Sequence, residues 1–219
     1  MDGPAMPGGP AVGRAAPLPV EAVAAIRAAG RRLDALGWVP ATAGNISLRL
    51  DDGRIAITRS GFHKGFVPED GVMAVDLDGR PGDPALRPSA ETGLHCGIYR
   101  RFAEAGAVLH GHSVPATVLS RRAGDAIVLD GYELLKAFPG LPTPAAAIHL
   151  PVLDNDQDII RLQACVAQAW DAGAASVPGY VLRGHGTYVW GEDMPHALLR
   201  LEALEFMLAC ELATRSLAS

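Results

Sequence analysis

The stretch Ala107-Val108-Leu109-His110-Gly111-His112 ends an apolar run with two imidazoles two residues apart. Alternate residues of a β-strand point to the same face, so the spacing predicts a buried strand that projects His110 and His112 together. A second apolar run, Gly179 to Leu182, leads into Arg183-Gly184-His185-Gly186 and sets a third imidazole at a strand turn. A catalytic zinc commonly takes three protein ligands and leaves a position open for water or substrate. His110, His112 and His185 are therefore candidate ligands of one ion, the alternative being three unrelated histidines.

Upstream of this strand, Val20, Val23, Ile26, Leu33 and Leu36 recur at helical spacing and predict a helix over 19–36, stopped by Gly37. Ile46 to Leu50 and Arg54 to Thr58 flank Asp51-Asp52-Gly53 and read as a hairpin, followed by a strand from Val72 to Leu77. Ala90 to Phe102 has helical pattern, with Ser89 as expected N-cap. Downstream, the pattern predicts short helices over 115–122 and 131–138, strands over 126–129 and 149–153, and a helix over 157–170. Strands flanking His185 follow, then a final helix from Met194 to Leu217. Helices and strands mix throughout with no repeat, which predicts one layered α/β domain over 19–219, behind a Gly/Pro/Ala-rich leader over 1–18.

Composition excludes several classes of function. With 49% hydrophobic and 20% charged residues over 219 positions, the chain reads as globular. A net charge of −5 with no basic run argues against a nucleic-acid surface. No apolar stretch approaches the roughly 20 residues that span a bilayer, so no membrane partner is expected and the cytoplasm is the default location. Cys96, Cys165 and Cys210 are too few and too irregular for a disulfide framework and are read as reduced.

Thr42-Ala43-Gly44-Asn45 and Thr58-Arg59-Ser60-Gly61 place glycine-freed backbone N–H groups and short polar side chains in loops, which suits an anion but also suits ordinary turns. Ser89 at a helix start adds a donor, and Lys64 and Arg59 are either counter-charges or solvated cations. Two acids stand out. Glu91 falls in a first helical turn, where it either offsets the helix dipole or works chemically. Glu133, in Gly131-Tyr132-Glu133-Leu134-Leu135, is expected to be partly buried among apolar neighbours and so to have a raised pKa suited to acid/base work. His63 is a candidate substrate contact; His95, His149 and His196 are read as structural or surface residues.

Taken in order, Thr42-Ala43-Gly44-Asn45-Ile46-Ser47, Thr58-Arg59-Ser60-Gly61, Pro88-Ser89-Ala90-Glu91-Thr92, His110-Gly111-His112 and Arg183-Gly184-His185-Gly186 resemble the class II aldolase/adducin family. The resemblance covers nearly everything after the leader. It implies a three-layer α/β/α domain with a largely antiparallel central sheet, one Zn²⁺ per subunit on His110, His112 and His185, and a homotetramer. It also implies a small sugar-phosphate substrate whose phosphate rests against Gly44, Asn45, Ser60, Gly61, Lys64 and Ser89. The stretches around Glu133, Asn155 and Glu202 most resemble the dehydratase branch, whose members act on 5-methylthioribulose 1-phosphate in methionine salvage. In that branch the residue matching Glu133 is the implied acid/base, whereas in the aldolases it is the one matching Glu91, so the division of labour stays open. Gly111 departs from the threonine common between the paired histidines, and Ala90 replaces a second serine of the aldolase phosphate loop. A sugar-phosphate aldolase or epimerase, and a non-catalytic adducin-like interaction domain, are the rival expectations.

Overall fold

The computed structural model describes residues 17–141, 147–174 and 177–217. Most of the expected leader, 1–16, lies outside the described residues. Helix α1 (Val20–Ala35) starts after Pro19 and buries Ile26, Ala29 and Leu33 at helical spacing. The predicted hairpin forms as β1 (Asn45–Arg49) and β2 (Ile55–Thr58). Gly53 turns it at φ +84°, a conformation that a side chain would strain. Then come β3 (Val72–Val75), α2 (Thr92–Arg101), β4 (Ala107–Gly111), α3 (Val114–Arg122) and β5 (Ala126–Asp130). The chain continues through β6 (Ala147–Leu153), α4 (Ile159–Ala169), β7 (Gly179–Leu182), β8 (Gly186–Gly191) and α5 (Met194–Leu217).

The strands form an eight-stranded sheet in the order β3-β2-β1-β4-β8-β7-β6-β5. It is mixed, which corrects the expectation of a largely antiparallel sheet: β6 and β7 run parallel, while the other neighbours pair antiparallel. The physical reason is α4, which lies between β6 and β7 in the chain and supplies the crossover that a parallel pair needs. Side chains of β4 alternate between two cores. Ala107 and Leu109 join Ile26, Leu33, Leu201 and Leu204 beneath α1, α3 and α5. Val108 joins Leu94, Ile98, Leu162 and Trp190 beneath α2 and α4. Each fully buried large side chain contributes about 1.5–3 kcal/mol, so the two cores hold helices to both faces and make three layers.

Two local readings are corrected by this packing. Ser89 does not cap α2: the helix begins at Thr92 with Glu91 at the cap position, because the Ser89 carbonyl closes a turn ahead of it by accepting from Thr92 N and Oγ1, while the Ser89 hydroxyl accepts from Asn45 Nδ2 at 2.8 Å. The short helix expected over 131–138 is a 3-10 turn, Glu133–Ala137, that buries Leu135 and leaves Glu133 on the outside.

The centre of the sheet sets the site. Because β1, β4 and β8 are antiparallel neighbours, the start of β1, the end of β4 and the start of β8 meet at one end. Asn45 lies opposite His110, His110 opposite Tyr188, and Gly111 opposite Thr187.

Candidate metal centre

His110 is fully buried at the end of β4, and His112 follows one residue past the strand. Their Nε2 atoms lie 2.8 Å apart. His185 enters from the turn between β7 and β8, and Glu91 comes from the cap of α2. His110 Nε2 is 3.3 Å from Glu91 Oε2, and His185 Nε2 is 3.2 Å from Glu91 Oε1. One ligand atom from each of these four residues falls within 4.8 Å of the others. The three imidazoles singled out by sequence spacing thus lie together in the structure, with the Glu91 carboxylate on the fourth side.

The rings are prepared as ligands. His110 Nδ1 donates to the Thr187 carbonyl at 2.9 Å, which turns the Nε2 lone pair toward the cluster. His185 Nδ1 lies 3.3 Å from Asn155 Oδ1, an equivalent orienting contact. The His110 ring is stacked on Tyr188 at 4.0 Å, and Tyr188 on Tyr180 at 4.9 Å. Burial, together with the neighbouring imidazoles, holds His110 well below its ordinary pKa and His112 at about 4; burial also lowers His185. All three are neutral at pH 7, the form that binds a metal. Without a metal, His112 Nε2–H can donate to the His110 Nε2 lone pair at this distance, and a cation can take the place of that shared proton. The donor set thus fits a divalent metal ion, with three nitrogens and one oxygen of the kind zinc accepts.

Glu91 is held by Asn45, whose Nδ2 donates to Glu91 Oε2 at 3.2 Å as well as to Ser89. Burial raises the Glu91 carboxyl above the usual range. Behind Asn45 runs a buried polar chain: Asn45 Oδ1 meets His95 Nε2, His95 Nδ1 lies 2.7 Å from Ser47 Oγ, and Ser47 Oγ lies 2.8 Å from the Tyr99 hydroxyl. Burial pushes His95 down to about 3, so the ring is neutral and its Nε2–H donates to Asn45. That donation fixes which end of the amide faces Glu91.

The cluster opens into a cavity of about 690 Å³. It is lined by Thr42, Gly44, Ser60, Gly61, Lys64 and Ser89, by Thr117, Asn155, Asp156 and Gln157, and by Glu91, His112 and His185 of the cluster. Gly44, at φ +74°, brings its backbone so close to the end of β4 that a Cβ would sit 2.6 Å from the His110 carbonyl. Lys64 donates to the carbonyls of Thr42 and Phe62, each at 2.7 Å, leaving one of its three N–H groups for the cavity. Burial lowers its amine to about 8.

The profile of the Class II Aldolase and Adducin N-terminal domain family matches residues 24–212. The chain belongs to this family. Among its relatives, the methylthioribulose-1-phosphate dehydratase of Gluconacetobacter diazotrophicus is 60% identical over 198 residues, covering 90% of this chain and 95% of that one. The enzyme of the same name from Pseudomonas aeruginosa is 50% identical over 191 residues, covering 87% and 93%. Of the class II aldolase structures, an L-fuculose 1-phosphate aldolase superposes with a TM-score of 0.76 at 18% identity, over 92% and 90% of the two chains. The L-fuculose-1-phosphate aldolase of Thermus thermophilus gives 0.72 at 27% identity, over 91% and 97%. The class II aldolase fold is thus common to them.

Not every expected residue of this family member faces the cavity. Asn45 is fully buried and its amide is engaged by Ser89, Glu91 and His95, so it stands behind the wall. Glu133, expected to be partly buried, is exposed and paired with Lys136 at 2.7 Å; its place at the start of a 3-10 turn gives the buried position to Leu135. His63 accepts from Gly65 N and caps the Lys64–Phe66 turn, and Arg59 donates to the Asp70 carbonyl; neither lines the cavity. His95, read as structural, proves to be the support of Asn45, and Asn155, noted only within a motif, supports His185. Their partners are 30 to 50 positions away in sequence, beyond the reach of local pattern.

Gly186 tests how closely the centre is packed. A Cβ there would lie 2.2 Å from the Gly111 carbonyl and 3.1 Å from His110 Cε1. Gly186→Ala is expected to cost about 1–3 kcal/mol of stability, the range for overpacking, and to weaken metal binding by displacing the His110 ring. Denaturant unfolding and metal titration of the variant check both.

Proposed function

We propose that this chain dehydrates 5-methylthioribulose 1-phosphate to 2,3-diketo-5-methylthiopentyl 1-phosphate, in methionine salvage, with zinc as its metal. The observation that carries the reading is 60% identity along nearly the whole of a methylthioribulose-1-phosphate dehydratase, taken with an intact triad of neutral imidazoles. His110, His112 and His185 would hold the zinc, which when bound draws off the charge that develops on a ketone oxygen and so acidifies the neighbouring carbon. Glu91, beside the triad with a buried carboxyl of raised pKa, would take the proton from the carbon next to the ketone. The hydroxyl on the following carbon then leaves as water, taking up one proton, and the resulting enol becomes the diketone. No redox partner enters the balance.

The phosphate rests against the wall formed by Gly44, Ser60, Gly61 and Ser89, with the remaining N–H of Lys64 directed to it. A hydrogen bond to a charged group contributes about 1.5–3 kcal/mol. Lys64→Met is therefore expected to raise KM by roughly 10–100-fold, with a smaller change in kcat, in steady-state kinetics.

A homotetramer belongs to the same proposal. Glu133 lies outside the cavity of its own chain, so it fills the acid/base role expected of it only by reaching the cavity of a neighbouring copy. Mixed oligomers of Glu133→Gln and His112→Ala subunits should then recover activity that neither variant has alone; no recovery removes Glu133 from the reaction. Among the described residues no helix is long and apolar enough to cross a membrane, and the three cysteines are free. A cytoplasmic location, where thiols stay reduced, accords with the latter.

The deciding experiment follows product mass from 5-methylthioribulose 1-phosphate with metal-loaded and chelator-treated protein. Metal-dependent loss of one water is the expected result. Cleavage into shorter products or inverted stereochemistry would instead assign an aldolase or an epimerase.

A further inference from the structure

Glu205 is an acid where the fold has no use for one. It lies on α5 beside Leu201, Leu204 and Leu208, all fully buried, and is itself only 2% exposed. Its Oε1 accepts from Thr187 Oγ1 at 2.8 Å, while Oε2 is buried with no hydrogen-bond partner. Burial pushes the carboxyl up to about 7. An apolar side chain of similar length would pack the helix without that desolvation cost, so helix packing does not account for the acid.

The neighbours of the carboxyl do account for it. Thr187 is the second residue of β8, two positions after His185, and its carbonyl is the acceptor for His110 Nδ1 at 2.9 Å. Ser113 follows His112 directly, caps α3 by accepting from Ala116 N at 3.0 Å, and its hydroxyl stands beside the same carboxyl. One side chain on α5 thus reaches residues adjoining all three imidazoles: Thr187 for His110 and His185, Ser113 for His112. These imidazoles are neutral, so Glu91 offsets one of a dication's two charges, and a carboxylate behind the ligands offsets part of the rest.

We infer that Glu205 is a positioning residue of the metal site: it holds Thr187, and stands beside Ser113, so that the three imidazoles converge, and it supplies negative charge to the bound dication from behind them. The inference rests on the metal reading proposed above. It concerns metal affinity and ligand geometry, and Glu205 touches no reacting atom.

The test is zinc titration against a chromophoric chelator, with the visible spectrum of the cobalt-substituted protein and the melting temperature of the metal-free protein read alongside. Wild-type protein that binds no stoichiometric zinc, or His112→Ala that binds as well as wild type, rejects the metal reading itself. With that reading standing, Glu205→Gln, which keeps shape but loses charge, is expected to weaken zinc by about tenfold or more and to shift the cobalt bands. Thr187→Val, which removes the donor to Oε1, should weaken zinc in the same direction, and Glu205→Leu, which removes charge and acceptor together, should weaken it at least as much as either. Zinc affinity within twofold of wild type and an unchanged cobalt spectrum in Glu205→Gln overturn the inference, whatever happens to the melting temperature. Should Glu205→Gln fail to fold, Thr187→Val decides alone, and unchanged affinity there overturns the inference equally.

Discussion

His112→Ala is expected to lose stoichiometric zinc binding and to lower turnover of the proposed substrate by about 10³-fold or more. His112 sits just beyond β4 with its Nε2 2.8 Å from that of His110, so its removal opens one side of the cluster. Polarisation by a bound metal contributes several kcal/mol to a transition state, and each 1.4 kcal/mol or so is tenfold in rate. The backbone at this position is a separate matter: His112 N donates to the Trp38 carbonyl and is kept in the variant, so disturbance is expected at the strand end while the sheet persists. Metal analysis after dialysis, near-ultraviolet circular dichroism and turnover after zinc is restored check the three parts. Wild-type protein stripped with a chelator should match the variant and recover when zinc returns, which the variant should not.

Glu91→Gln has the next largest expected effect, with kcat at saturating zinc falling by about 10²–10⁴-fold, the range for a general base, while the three imidazoles still hold zinc, more weakly than in wild type because a carboxylate beside them has lost its charge. The amide keeps the shape and still accepts from Asn45, so the support behind it, through His95 to Ser47 and Tyr99, is preserved. What it loses is the ability to take a proton. Steady-state kinetics beside zinc titration separate this outcome from simple loss of the metal. Turnover within a few-fold of wild type would move the whole acid/base role to Glu133.

The helices and strands were largely legible because their signals are local. Ile26, Ala29 and Leu33 lie on one face of α1 at helical spacing, and the Asp51-Asp52-Gly53 turn fixed the hairpin. The triad was legible for the same reason, since period-two spacing pairs His110 with His112 and a glycine-flanked turn presents His185. The parallel pairing of β6 and β7 was not, because it depends on where α4 returns the chain and leaves no periodic trace. Glu133 misled because apolar neighbours suggest burial, whereas the 3-10 turn gave the inner position to Leu135. His95 was underread because its role depends on meeting Ser47 and Asn45, 48 and 50 positions away. Glu205 left a local trace, an acid in the buried stripe of α5, whose meaning appears only once Thr187 is beside it.

The joining of β4 to β8 also governs the order in which the molecule can assemble. His110 and the carbonyl that orients it are 77 positions apart, and most of the intervening chain must cross the sheet before they meet. Contacts of such long sequence separation form slowly, because the entropy of closing the loop comes before any reward. The paired histidines of a nascent chain offer an ion two of the cluster's three nitrogens, and the third, on His185, arrives when β8 docks. Capture of the proposed zinc is therefore expected at the end of folding, and free zinc should slow unfolding of the finished protein far more than it hastens the search for it.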